Sequence, residues 1–255
     1  MTASATPPNE GALPPRLAWA MLLALTCGFA LSQAFRTVAA IMGPPLAGEL
    51  ALSPQQLGLW AAAFHFSFGV MQLAMGVSLD LYGVRRTILL AFPMAVAGAL
   101  VSAQAGSYAE LMLGQVLIGT GCAPAFLVCT VFIGRHFSAQ RFTAVSGLVM
   151  SISGVGVLAT ATPLAWLIEA SSWRRGFGVL AVCAALAWGA IWWLVREPPM
   201  PPAPADAPRV TPWTTLKGLL ALFKLPHTLG LVAYAAVAYA GFITLRGLWL
   251  GPLLV

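Results

Sequence analysis

Apolar residues run along this chain in long unbroken stretches, with neither the alternation of a half-buried strand nor the single apolar face of a soluble helix. The stretches cover residues 17–41, 57–79, 87–105, 110–133, 143–168, 176–195 and 228–250. Crossing a hydrocarbon core of ~30 Å takes about 20 residues of helix, so each stretch predicts one span and the chain predicts seven. Barrel strands would be shorter and would alternate in polarity; that pattern is absent. The fold class read from the pattern is all-α and polytopic.

The polar breaks divide the chain. Residues 1–16 form a tail, and residues 17–196 carry six predicted helices. The next segment, "REPPMPPAPADAPRVTP", is too rich in proline for a helix. After it, "WTTLKGLLALFKL" places Trp213, Leu216, Leu220 and Phe223 on one face, with Lys217 and Lys224 elsewhere. That arrangement predicts an amphipathic helix lying on the membrane surface, so residues 197–227 read as a linker. Residues 228–255 hold one further helix. The expected organisation is a complete six-helix half, then the first helix of a second half whose remainder is missing.

Composition sharpens the class. Hydrophobic residues make up 60% of the 255 and charged residues 8%, where a soluble domain carries about 25% charged. The net charge of +6 is spread over isolated or paired basic residues, so no nucleic-acid partner is expected. With the N-terminus in the cytoplasm, the inner connections hold Arg16, Arg85, Arg86, Arg135, Arg141, Arg196, Arg209, Lys217 and Lys224. The outer ones hold Arg174 and Arg175 together with Glu49, Glu110 and Glu169. This bias predicts a cytoplasmic N-terminus in an inner membrane. The first apolar stretch resumes past Arg36 and exceeds a signal-peptide core, so an uncleaved first helix is expected. Cys27, Cys122, Cys129 and Cys183 all lie in apolar stretches without a CxxC or ligand spacing. They read as packing residues, and neither metal nor cofactor is implied.

Against this background Arg36, in "LSQAFRTVAAIMGPPL", is out of place. A charge near the bilayer centre costs roughly 2.5–3.5 kcal/mol on insertion scales, so it should face a polar interior and hold something negative. A related pattern recurs in the seventh stretch, where Arg246 precedes Gly251–Pro252 as Arg36 precedes Gly43–Pro44. Two halves related by a parallel repeat would place the first and seventh helices in equivalent positions. His65, in "AAFHFSFG", is the one group within a span that titrates near neutrality. Gln33, Gln72 and Gln115 are neutral candidates for ligand contact or interhelical bonding, and Trp60 and Trp173 read as interface anchors.

The connection "GVSLDLYGVRR" (residues 76–86) resembles the signature loop of the major facilitator superfamily. Gly76, Asp80, Gly83, Arg85 and Arg86 match it, and Leu81 replaces the usual basic residue. Gly76 is expected to permit close helix approach, Gly83 a tight turn, and Asp80 a latch made in one transport state and broken in another. "GRHFSAQRFTAVSG" is similar to the four–five loop of the anion-transporting branch, with Gln140 in place of its Glu. "SSWRRGF" and "LSPQQLGLWAAAFHFSFGVMQLAMG" resemble other parts of organic-anion and organophosphate porters. The resemblance implies a transporter rather than an enzyme, with a small anionic substrate bound by Arg36 and Arg246, joined here by His65 and Gln33. It also implies alternating access between two halves. The spans hold no acid away from their ends, Gln115 stands where many relatives carry Arg, and Cys122 where some carry Glu. Proton symport through those positions is therefore not expected. The alternative within the superfamily is a drug or metabolite exporter with Arg36 structural. The absence of a Gly-Pro-x-x-Gly-Gly run in the fifth helix weighs against it.

Overall fold

A computed structural model describes residues 14–196, 218, 221 and 223–244. Among them the regular structure is helical: α1 (Pro15–Glu49), α2 (Pro54–Gln104), α3 (Tyr108–Cys122), α4 (Pro124–His136), α5 (Ala139–Ala170), α6 (Trp173–Leu194) and α7 (Thr228–Thr244). Pro54 follows a Ser53 capping box in which Ser53 and Gln56 satisfy each other's backbone N–H, and Ser107 and Glu110 do the same for α3. Five apolar helical stretches are long enough to cross a membrane, with α3 and α4 counted together. The chain is an all-α, multi-pass membrane protein.

The 51 residues of α2 would measure roughly 76 Å if straight, more than twice a hydrocarbon core. They do not run straight. Gly83 interrupts the helix at φ 78°, ψ 179°, a conformation that essentially only glycine adopts without strain. The hydroxyls of Ser78 and Thr87 hydrogen-bond at 3.0 Å across it, although nine residues of straight helix would separate them by roughly 13 Å. The chain therefore doubles back at Gly83, and α2 makes two crossings. This corrects the expected loop at residues 76–86: the segment is helical except at that one residue. The expected 110–133 span is divided into α3 and α4 at Ala123, which keeps helical dihedrals, because Pro124 brings no backbone N–H to the ladder. Only Phe137 and Ser138 separate α4 from α5.

The helix α1 packs on α4, α5 and α6, and α2 on α3, α4 and α6. Met21, Leu25, Phe29, Phe35 and Met42 of α1 meet Trp60, Ile88, Phe92, Phe132 and Phe177 in one buried core. Lipid removes the usual hydrophobic drive between helices, so close backbone contact must carry the association. A Cβ at Gly121 would sit 2.2 Å from the Ala95 nitrogen, so α3 lies directly on the second half of α2. Gly156 meets α1 in the same way, 2.7 Å from the Ala30 carbonyl oxygen, whereas Gly147 and Gly154 face open space. The close-approach expectation also fails at Gly76, where an added Cβ would meet nothing within 4 Å. Both tryptophan expectations are corrected: Trp60 is wholly buried and Trp173 is 2% exposed, so neither sits in a lipid interface. The apolar side chains that face outward, such as Phe66, Leu90, Leu158 and Leu186, are those a bilayer would cover.

Candidate functional site

Arg36 lies on the inward side of α1, between the buried Phe35 and Val38, and is itself half-buried. Its guanidinium carbon stands 4.3 Å above the centre of the Phe68 ring on α2. One terminal nitrogen donates to the Tyr239 hydroxyl of α7 at 2.8 Å. The Nε is buried and has no hydrogen-bond partner, and no acid pairs with Arg36 among the described residues. A desolvated cation over an aromatic face gains about 2 kcal/mol, and a hydrogen bond to a charged donor about 1.5–3 kcal/mol. Together these are comparable to the insertion-scale cost of placing the charge in the membrane. The unpartnered Nε–H still costs about 1–3 kcal/mol, which an anion at this position would recover.

His65 sits one turn before Phe68 on α2. Phe64 packs edge-on against His65 and stacks on Phe68, so the rings form one continuous face. The His65 Nδ1 lies 3.3 Å from the Ala61 carbonyl oxygen. A carbonyl only accepts, so in the neutral ring Nδ1 carries the hydrogen and Nε2 is left as an acceptor. That Nε2 is buried without a partner. A fixed cation with a spare donor thus shares a face with a neutral ring that has a spare acceptor. Buried polar groups are usually paired in native proteins; here Arg36 Nε and His65 Nε2 lie buried without a partner on neighbouring helices.

The other candidates separate. Gln33, one turn before Arg36, is half-buried. Gln72 is occupied: its Nε2 donates to the carbonyl of Ala123, the residue between α3 and α4, at 3.1 Å. Gln115 is buried in α3. Arg246 lies outside the described residues, as do Gly251–Pro252, the 1–13 tail and most of the 197–227 linker. Sequence reasoning missed Phe68 and Tyr239. Phe68 is an aromatic one turn beyond His65, but nothing local along the chain ties it to Arg36, and Tyr239 is one of two tyrosines, with Tyr234, in the seventh stretch.

The signature residues gather at the opposite, basic end of the bundle. Gly83 makes the reversal, and Arg85 donates to the Trp192 carbonyl at 3.1 Å. That carbonyl belongs to the last turn of α6, where the helix dipole favours a cation. Arg86 is exposed, and Asp80 is exposed with no hydrogen bond or ion pair among the described residues. At the other end, Glu49 closing α1 pairs with Arg174 of α6 and accepts from Trp173 Nε1 at 2.6 Å. Arg174 also donates to the Ala105 carbonyl at 3.1 Å and lies 4.2 Å above the Trp173 ring. The described residues hold no cluster of His, Cys, Asp or Glu able to bind a metal.

Comparison with known proteins gives this arrangement a context. The Major Facilitator Superfamily profile matches residues 24–253. The hexuronate transporter of Bacillus subtilis is 24% identical over 208 residues, covering 80% of this chain and 49% of that protein. The galacturonate transporter of Dickeya chrysanthemi is 26% identical over 178 residues, covering 68% of this chain and 51% of its own length. A protein named for multidrug resistance in Klebsiella pneumoniae subsp. pneumoniae is 26% identical over 162 residues, 64% of this chain and 34% of its own. The chain thus spans about half the length of the two sugar-acid transporters.

Proposed function

Because the chain belongs to the Major Facilitator Superfamily, we propose that it works as part of a secondary transporter for a small organic anion, with Arg36 as the residue that grips the anion. The observation that carries this reading is the half-satisfied guanidinium. Arg36 is fixed over Phe68 and bonded to a neutral phenol, and it keeps a buried N–H unpartnered. Guanidinium suits the task because its planar fork matches a carboxylate and never deprotonates. Between the carboxylate and organophosphate classes, the relatives named for hexuronate and galacturonate favour a carboxylate. The free acceptor at His65 Nε2 suits the hydroxyls such a sugar acid carries.

In this proposal the carboxylate takes the Arg36 donors, a substrate hydroxyl donates to His65 Nε2, and Gln33 and Arg246 complete the site. The signature cluster of Gly76, Asp80, Gly83, Arg85 and Arg86 serves as the latch whose making and breaking accompanies alternating access. The basic residues gathered at the Arg85 end support placing that end, with the N-terminus, in the cytoplasm, and the proposed membrane is an inner one. Residues 17–196 are one transport half and 197–227 the linker to the next. The exporter reading draws support from the relative named for multidrug resistance; Arg36 is then structural.

The test is ligand-induced thermal stabilisation, since a ligand that binds only the folded state raises the melting temperature by mass action. Wild type and Arg36→Gln are compared against galacturonate, glucose 6-phosphate and a lipophilic amine. Stabilisation by galacturonate in wild type alone supports the proposal. Stabilisation by the amine in both proteins, with none by the anions, turns the assignment to an exporter.

A further inference from the structure

The stack of Arg36 on Phe68 joins α1 to α2, and both helices reach the same stretch of α3–α4 backbone close by. Ser32 lies one turn before Arg36 on α1, and Gln72 one turn beyond Phe68 on α2. Residues four apart share a helix face, so each partner in the stack has a polar neighbour on its own face. Those neighbours meet successive carbonyls. Gln72 Nε2 donates to the Ala123 carbonyl at 3.1 Å. The wholly buried Ser32 hydroxyl faces the Cys122 carbonyl at 3.5 Å, a longer contact. A carbonyl oxygen has two lone pairs, so it can accept a side chain as well as a helical bond.

The backbone is short of a donor at this point. Pro124 brings no N–H, and the Ala123 N–H turns to the Thr120 carbonyl at 3.3 Å. One turn earlier, a Cβ added at Gly119 would overlap the Ser67 hydroxyl and the Phe64 carbonyl, so α2 lies directly on α3 there. Phe68 is therefore bracketed. The close contact at Gly119 holds α2 on one side of it, and the Gln72 amide holds α2 on the other.

The bracket bears on Arg36. The guanidinium carbon stands 4.3 Å above the Phe68 ring, and cation–π attraction is worth little beyond about 6 Å. A small shift of α2 against α1 would undo the stack and let the guanidinium turn. Resting on the reading of Arg36 as the residue that grips the anion, we propose that Gln72 is a positioning residue for that site. Through the Ala123 carbonyl it sets Phe68 at the distance that aims the Arg36 donors, without touching the substrate itself. Ser32 makes the matching tie from α1.

Gln72→Met keeps the length of the side chain and removes the donor. Galacturonate binding, read by calorimetry on the purified protein, should weaken about tenfold in this variant, the worth of one hydrogen bond. Added to Phe68→Leu, the same substitution should weaken binding no further, because the ring it positions is gone. An equal loss in both backgrounds overturns the proposal, since a direct substrate contact or general damage would act without Phe68. Unchanged affinity in Gln72→Met overturns it too. Ser32→Ala should follow the same pattern more weakly, so the test survives if Gln72→Met does not fold. A ligand-free measurement separates the proposal from the reading of the substrate. Phe68→Leu should lower the melting temperature more in wild type than on top of Arg36→Gln, and that difference should vanish once Gln72→Met is present. If it vanishes while galacturonate fails to bind wild type, the substrate reading falls and the positioning of Arg36 stands. If it persists, the positioning role falls whatever the substrate.

Discussion

Arg174 and Arg36 are both guanidinium groups laid over an aromatic ring, 4.2 Å above Trp173 and 4.3 Å above Phe68. They differ in what fills the remaining donors. Arg174 meets the Glu49 carboxylate and the Ala105 carbonyl, so it joins the ends of α1, α2 and α6. Among the described residues Arg36 bonds to a phenol and keeps a buried N–H unpartnered. Its neighbour His65 keeps an unpartnered nitrogen as well. A cation paired to completion by its own chain acts as a fastener. One paired halfway, at a depth where charge is costly, still has a donor that the proposed function gives to the substrate.

That contrast can be broken most directly at Arg36. Uptake of galacturonate into proteoliposomes by Arg36→Gln should fall about 100-fold, the loss of charged hydrogen bonds worth about 3 kcal/mol, with melting of the ligand-free protein little changed. Uptake at the wild-type rate would class Arg36 with Arg174 as a fastener. Arg174→Ala should behave in the reverse way. It should lose about 1–2 kcal/mol of stability, from an exposed ion pair and a cation–π contact, seen as a lower melting temperature at unchanged ligand affinity. Normal melting with weakened binding would erase the distinction.

Two smaller effects sharpen it. His65→Leu should lower the preference for galacturonate over a carboxylate without hydroxyls by about tenfold, the worth of one hydrogen bond, as read by competition binding. An unchanged ratio would remove His65 from the site. Tyr239→Phe should raise galacturonate affinity a few-fold, about 1 kcal/mol or less, by removing the hydroxyl that competes for Arg36. A fall in affinity would instead make Tyr239 a contact of the substrate.

The helices were legible because spans of about 20 apolar residues leave few alternatives, and Gly83 was legible because only glycine adopts its backbone conformation. Arg36 announced itself as a charge where charge is expensive. What composition hides is direction. Trp173 was misread as an interface anchor because its ring suits either a membrane surface or a core, and only the Glu49 carboxylate 124 residues away decides between them. Gly76 was misread for a related reason, since a missing side chain marks close approach only if a neighbour is present. Phe68 carries the charge of Arg36 from another helix, a pairing that no local pattern along the chain encodes.

The one-residue reversal at Gly83 bears on how this protein can be handled and built. Two crossings joined by a single glycine leave no strand of chain for a protease to grip, and no site where a tag or fluorophore could be inserted without splitting a helix pair. At that end of the bundle such insertions are better aimed at Phe137–Ser138. The pair should also leave the ribosome as one hairpin and enter the bilayer together. A substitution at Gly83 would then act on insertion, before any substrate is met.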